Sequence, residues 1–375
     1  MCGSPFVEYF GALPDPRVDR TKLHALLDIL VIAVCAVIAG AEGWEDIAEF
    51  GRLKECFFRE RLGLKLPHGI PSPDTFRRVI ARLDPEAFGR AFLAWTETLR
   101  VRTKGEVVAL DGKTLRHSFD TAAGQAPIHI VSAWAAQNRL VLAQVKVDDK
   151  SNEITAFPAL LALLDLRDCT VTIDAMGCQK EIARQIIAQG GDYVLALKGN
   201  QGQIFEDVRL FFEDATEGGF AGIRARCDER TEKDHGRIET RRYWLVKEID
   251  WLEGRPAWAG LCSIGMAESV RRIGEKVETE RRYFLCSLKG SALQFGRAVR
   301  RHWGIENSEH YVLDVAFHED ACRIRREHGT ENFAMLRHIA LNLARREPTA
   351  TRGVKARLRR AGWDETYLLR VLAPG

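Results

Sequence analysis

The spacing of apolar positions along this chain changes period twice. Over residues 1–100 it is helical. Leu13-Pro14-Asp15-Pro16-Arg17 is a turn-rich lead-in. Helices are predicted over 22–39, stopped by Gly40, and over 44–61. A third follows the loop 69–75, with Ser72 or Asp74 as its cap and Pro73 in its first turn. Its residues Phe76, Val79, Ile80 and Leu83 face inward, and Arg77, Arg78 and Arg82 outward. Asp84-Pro85-Glu86 opens a fourth helix that runs through Trp95. The stretch 26–41 is strongly apolar, yet it is shorter than a membrane span and carries Asp28, so it reads as a buried core helix. A short Arg-bearing helix after a turn fits a helix-turn-helix DNA reader or a plain bundle with solvated arginines.

From Val107 the pattern becomes that of strands. Strands are predicted over 107–111, 128–136 and 140–147. A helix over 153–165, capped by Ser151 or Asn152, comes next. Strand 169–174, helix 179–188 and strand 193–198 complete a β-β-β-α-β-α-β order. Three meandering strands followed by two parallel crossovers predict an α/β fold with a ribonuclease H-like core. Strand-like runs at 240–246, 260–265 and 283–287 predict a β-rich insertion, and from Gln294 the chain is helical again. The expected division is a helical, DNA-binding N-terminal domain (1–100), a catalytic core (101–198 and 291–346), the insertion (199–290) and a basic C-terminal tail (347–375).

Composition narrows the class. The 375 residues are 46% hydrophobic and 29% charged, as in a soluble globular protein. Net charge is only +3, but residues 321–375 carry 12 Arg/Lys against 5 Asp/Glu. A basic end on a mildly acidic body suits a tail that grips phosphates while the body holds metal; a solvated helical end is the plainer alternative. The nine cysteines are scattered and form no Cys-x-x-Cys pair, which argues against a disulfide framework and a zinc site and for a reducing cytoplasm. No basic start followed by an apolar run is present, so no signal peptide is expected.

The chemistry lies in three acids. Asp111 ends the run Val107-Val108-Ala109-Leu110, and Asp174 ends Val171-Thr172-Ile173. Glu306 sits in the helical stretch His302-Trp303-Gly304-Ile305-Glu306-Asn307. Adjacent strands lie about 4.8 Å apart, so two strand-end carboxylates would face each other and require a counter-charge. Oxygen-only ligands select hard cations, hence Mg²⁺, with Mn²⁺ able to substitute. Two such ions about 4 Å apart can activate a water or a 3′-hydroxyl and stabilise the leaving oxygen. Any one of these acids alone would be an ordinary cap or turn residue; the reading rests on all three.

The neighbours admit two roles each. His302, Glu306 and His310 fall at i, i+4 and i+8, roughly one helix face, but the zinc motif His-Glu-x-x-His is absent. The two imidazoles read as phosphate contacts or as braces for Glu306. Trp303 either stacks on an unpaired base or fills a core. Glu153 reads as a first-turn helix residue favoured by the dipole, not as a fourth ligand. His235-Gly236-Arg237 is a DNA-facing turn or a plain hairpin turn.

Leu110-Asp111-Gly112-Lys113-Thr114-Leu115-Arg116 resembles the first-aspartate motif of a bacterial insertion-sequence transposase family with an Asp-Asp-Glu (DDE) active site. That family includes the H-repeat-associated proteins of Rhs elements. Thr172-Ile173-Asp174-Ala175-Met176-Gly177-Cys178-Gln179 resembles its second-aspartate motif, and Tyr193 to Gln201 follows suit. The block from His302 to Asn307, with Leu313-Asp314-Val315 and Glu319-Asp320, resembles the glutamate region. The likeness runs from Leu13 to Asp364. It implies a ribonuclease H-like domain with a β insertion, Mg²⁺ dependence, and cleavage and strand transfer at element ends. The implied partners are double-stranded DNA, as terminal inverted repeats and target, and a second copy of the chain in the synaptic complex. No membrane is expected.

Departures are specific. His117 replaces the more frequent glycine. Related enzymes with a Tyr-Arg-Glu-Lys signature place arginine four before the glutamate and lysine seven after; here His302 and Leu313 stand there. The lysine role is not carried over, and Lys113, Arg116, Lys198, Arg300 and Arg301 are the candidates for phosphate neutralisation. Rival readings are an inactive or domesticated DNA-binding relative and a ribonuclease H-like nuclease. A haloacid-dehalogenase-type phosphatase needs Asp-x-Asp, and Lys113 occupies the second position.

Overall fold

The computed structural model describes residues 5–119, 124, 126–147, 152–234, 236–349 and 351–373. Expectations for Ser151 and His235 fall outside these residues. Helices open the chain: α1 (Pro5–Phe10), α2 (Leu26–Ile38), α3 (Trp44–Leu53), α4 (Glu55–Glu60), α5 (Pro73–Arg82) and α6 (Pro85–Leu99). Ser72 and Asp84 cap α5 and α6 by accepting from the Thr75 and Ala87 amides, each with proline at the first helical position. The single helix expected over 44–61 is broken at Lys54, whose φ of −112° and ψ of 20° leave the helical region. Nearly every side chain of α2 is buried. An element apolar all round needs cover on every side. Among the described residues no helix is long and apolar enough to cross a membrane.

The sheet follows. Its strands are β1 (Glu106–Thr114), β2 (His129–Ala135) and β3 (Leu140–Lys146), then β4 (Cys169–Ile173) and β5 (Asp192–Leu197). Helices α7 (Glu153–Leu163) and α8 (Lys180–Ala188) make the crossovers. β1 pairs antiparallel with β2 and parallel with β4, and β4 pairs parallel with β5. The insertion opens with α9 (Gln203–Glu217), a helix the sequence reading passed over, and continues as β6 (Ala225–Asp234), β7 (Arg237–Val246), β8 (Ser263–Ile273) and β9 (Lys276–Cys286). It is not a separate body. β9 pairs antiparallel with β5, giving one nine-stranded sheet in the order β3-β2-β1-β4-β5-β9-β8-β7-β6 among the described residues.

That junction has a geometric consequence. Leu197 at the end of β5 pairs with Tyr283, so residues 276–282 of β9 run past the carboxyl edge of β4 and β5. With β6, β7 and β8 alongside, they form an arm overhanging that edge by roughly 20 Å at the usual strand rise.

The chain closes with α10 (Ala292–Gly304), a π-helical turn (Ile305–His310), α11 (Tyr311–Phe317), α12 (Gly329–Arg346), α13 (Val354–Trp363) and α14 (Glu365–Leu372). Residues 347–375 were expected as a tail. Instead Leu358, Ala361, Tyr367, Leu368, Val371 and Leu372 are buried in the same core as α2. Apart from half-buried Arg357, the basic residues of these helices sit on exposed positions and hide an apolar face that averaged charge does not show. α12 lies between α2 and β3; Asn342 accepts from the Val141 amide at 2.9 Å and donates to its carbonyl at 2.8 Å. The helical N-terminal region therefore shares its core with the end of the chain.

Lys113 corrects another expectation. Its ammonium is held by Glu319 at 2.7 Å and by Asp314, and its side chain is only 12% exposed. It clamps β1 to α11 and the turn behind it, and is not offered to a phosphate.

Two outcomes are expected. Deleting residues 347–375 should bare the part of α2 that α13 and α14 cover and give insoluble or protease-sensitive protein; a tail would be dispensable, and an unchanged thermal melt would contradict the shared core. Lys113→Met strands two acids and should lower the unfolding free energy by about 3–5 kcal/mol in urea titration. Arg116→Met, at a side chain 78% exposed, should change it by about 0.5 kcal/mol or less.

Candidate active site

β1 is paired on both flanks, but not over equal lengths. Its parallel ladder with β4 ends at Leu110 and Ile173, while its antiparallel ladder with β2 continues to Thr114 and His129. Asp111 and Asp174 are each the residue after the last parallel pair, so they leave the carboxyl edge of the sheet as neighbours. Asp174 accepts from the Met176 amide at 3.1 Å, folding the turn into α8. Asp111 accepts from the Gly112 amide at 2.9 Å.

Glu306 arrives from the other layer. A capping box of Ser291 and Gln294 starts α10, which packs across β1, β4 and β7. At Ile305 the helix widens into its π-helical turn, and this changes the stacking expected of His302, Glu306 and His310 on one uniform face. The turn is fixed from below. Ile305 is buried, Arg345 donates to the Ser308 carbonyl, and Glu309 lies 3.5 Å from His338 with both side chains buried. Burial pushes the Glu309 carboxyl up to about 8. Glu306 itself stays exposed.

The acids act on one another. Burial, then the charges of Asp174, Glu306 and Glu153, push Asp111 up to about 7 against the Gly112 hydrogen bond. Asp174 is raised by burial and by Glu153, while Lys198 pulls it down. Burial drives His310 down to about 3 and His302 to about 4, so both rings are neutral. His310 Nδ1 lies 3.6 Å from Asp111, a polar contact and not an ion pair. His302 meets the Thr172 hydroxyl at 3.0 Å.

Glu153 is the residue that sequence reasoning set aside. It does occupy the first turn of α7, behind an Asn152 cap. It also bears on both aspartates. Its carboxylate accepts from His129 Nε2 at 2.5 Å, and His129 Nδ1 meets the Thr114 hydroxyl at 2.8 Å. This pair presses on the backbone beside Asp111. A Cβ on Gly112 would lie 2.2 Å from Glu153 Oε1 and 2.3 Å from His129 Nε2. The glycine after Asp111 was the available signal: it marks close approach, which the motif alone does not explain.

The candidate donors Asp111, Asp174 and Glu306 offer only oxygen, a set that suits a hard divalent cation. Among the described residues no three His, Cys, Asp or Glu side chains close tightly enough to enclose an ion as they stand.

A cleft of about 430 Å³ opens on Asp174 and Glu306, with Lys198, Phe205, Arg282 and Trp303 in its walls. Trp303 is not a core residue. The Arg282 and Arg300 guanidinium groups lie 5.0 and 5.9 Å from its ring centre. Of the phosphate candidates, Lys198 lines this cleft, Arg300 lies outside its lining against Trp303 and 3.6 Å from Glu232, and Arg116 lies at the surface 3.4 Å from Asp320. Arg301 is partly buried, feels Glu106 at the start of β1, and is outside the cleft lining. A larger cleft of about 560 Å³, between the start of α3 and residues 321–326, contains none of the three acids.

Comparison with known proteins gives the lineage. A family model described as "Transposase DDE domain" matches residues 102–343, and one described as "DDE_Tnp_1-associated" matches residues 7–96. YhhI of Escherichia coli (strain K12), named provisionally as an H repeat-associated transposase, is 39% identical over 372 residues, covering 98% of this chain and 97% of its own. An uncharacterised protein in the dhlA 3′ region of Xanthobacter autotrophicus is 52% identical over 283 residues, 74% of this chain and 93% of its own. A short Escherichia coli relative, the inactive transposase YbfQ, is 41% identical over 76 residues, 20% of this chain and 88% of its own. With a model matched across most of the chain and a relative alike along nearly all of it, the protein belongs to the DDE transposase family.

Proposed function

We propose that this chain is a DNA transposase that cleaves phosphodiester bonds at the ends of an insertion sequence and joins the freed 3′ ends to target DNA. The observation that carries the reading is the register of β1 on β4, which ends just before both aspartates, beneath the turn that bears Glu306. The order β3-β2-β1-β4-β5, antiparallel then parallel, supports a ribonuclease H-like core. In this reading residues 101–198 and 291–346 form that core, 199–290 its insertion, and residues 1–100 help to hold DNA. Two element ends must be joined, so two copies of the chain meet in the synaptic complex. The reaction takes place in the bacterial cytoplasm, on the nucleoid.

Asp111, Asp174 and Glu306 would hold the divalent cation, Mg²⁺ or Mn²⁺, which when bound would supply Lewis-acid polarisation of the scissile phosphate and a more acidic attacking hydroxyl. The protein does the rest. Neutral His310 steadies Asp111 without competing as a cation, and the Glu153–His129 pair fixes the backbone beside it. Lys198 and Arg282 face the phosphate from the cleft walls, and Trp303 offers a ring for an unpaired base to stack on. The overhanging β6–β9 arm excludes water from one side of the cleft when DNA lies in it.

Asp111→Asn, Asp174→Asn and Glu306→Gln should each reduce nicking and joining of terminal-repeat DNA to background while leaving DNA binding nearly unchanged in a gel-shift assay. Wild-type protein that neither nicks nor joins in Mg²⁺ or Mn²⁺ at any salt would leave only a DNA-binding relative. Preferential cutting of an RNA–DNA hybrid would reassign it as a ribonuclease H-like nuclease. Gly112→Ala should displace the Glu153–His129 pair and cost about 10–100-fold in nicking rate. Full activity in that variant would show the close approach to be unimportant.

A further inference from the structure

We propose that the outer face of α13 is a docking surface for the DNA backbone that flanks the candidate active site; this rests on the transposase reading. From Pro348 to Trp363 the chain has five cations and no acid. Two of the five are engaged within the fold. Arg357 donates to the Ala344 and Glu347 carbonyls at 2.8 Å, closing the end of α12. Arg360 stacks on Tyr367 and lies 3.7 Å from Asp364. Arg352, Lys355 and Arg359 are exposed and make no ion pair with any described residue. Lys355, Arg359 and Trp363 are spaced i, i+4 and i+8, which puts them on one side of the helix, and Arg352 stands just before its first turn. The opposite side buries Leu358 and Ala361.

Trp363 is 81% exposed, more than any other large apolar side chain described. Packing does not account for it. A tryptophan among unpaired cations is instead a surface for a polyanion, with the ring packing on sugar or base and the cations on phosphates. A membrane surface is a poorer fit, because an interfacial helix needs a broad free apolar face, and the apolar face of α13 is already buried. The position favours DNA. α13 packs on α11, with Val354 against the cluster that holds Val312 and Ala316. α11 continues the turn that carries Glu306 and exposes Tyr311. A duplex leaving the cleft along α11 meets α13 next.

The test measures binding of the full chain, without divalent cation, to a duplex oligonucleotide by fluorescence anisotropy across a KCl series. Each phosphate contact contributes about 0.9 to the slope of log K against log salt. Arg352→Ala/Lys355→Ala/Arg359→Ala should flatten that slope by about 2–3 and weaken binding at least about tenfold at low salt. Trp363→Ala should weaken binding with the slope unchanged. A thermal melt should match wild type for both, and Arg359→Glu alone should reproduce the loss if the triple variant melts early. Wild-type slope and affinity in these variants would overturn the proposal and leave the transposase reading standing. A changed oligomeric state in sedimentation with unchanged DNA binding would overturn it in favour of contact between copies. Failure of wild type to bind duplex at any salt would sink both.

Discussion

Four carboxylates meet at the carboxyl edge of one sheet, and their mutual repulsion is the constraint that the surrounding structure has to overcome. Asp111 carries the cost most visibly, since burial and three like charges hold its proton far above the ordinary range. Nothing about the acids themselves draws them together. They are brought there by forces acting elsewhere: a five-residue parallel ladder between β1 and β4, the capped start of α7, and a π-helical turn anchored on buried polar side chains. The Lys113 clamp locks β1 against the turn behind α11 and keeps the edge from relaxing away from the helix layer. The acids are held rigidly because their neighbours are.

Much of this was legible in the chain. Strands β1 to β5 are largely buried on both faces and so read as continuous apolar runs, and α8 packs one clear apolar face; the apolar run before Asp174 ends where β4 does, whereas β1 continues past Asp111 to Thr114. The insertion was less legible. β6 reads Ala-Arg-Cys-Asp-Glu-Arg-Thr-Glu-Lys-Asp, with no apolar alternation, because it is the edge strand of the arm, held by its ladder with β7 and largely exposed. α9 was hidden by its adjoining loop. Lys113 looked like a phosphate ligand because its partners, Asp314 and Glu319, lie some two hundred residues away. Glu153 was read from its own helix alone; the contact that changes its meaning is with residues on β1 and β2.

The C-terminal helices show the same lesson in reverse. Averaged over a window, residues 347–375 are a basic tail. Resolved by helix face, they divide into an apolar side that completes the core around α2 and a cationic side left bare. One stretch thus performs two tasks that composition merges into a single number.

The enclosure of α2 also bears on how the protein is made. This helix is made well before α12, α13 and α14, which cover one side of it. Until they are made, α3 and α5 are its native neighbours and the side that α12 to α14 cover stays bare. A fragment that stops before α12 keeps α3 and α5 on one side of this helix and bares the other, so its enclosure is finished only when α12, α13 and α14 dock.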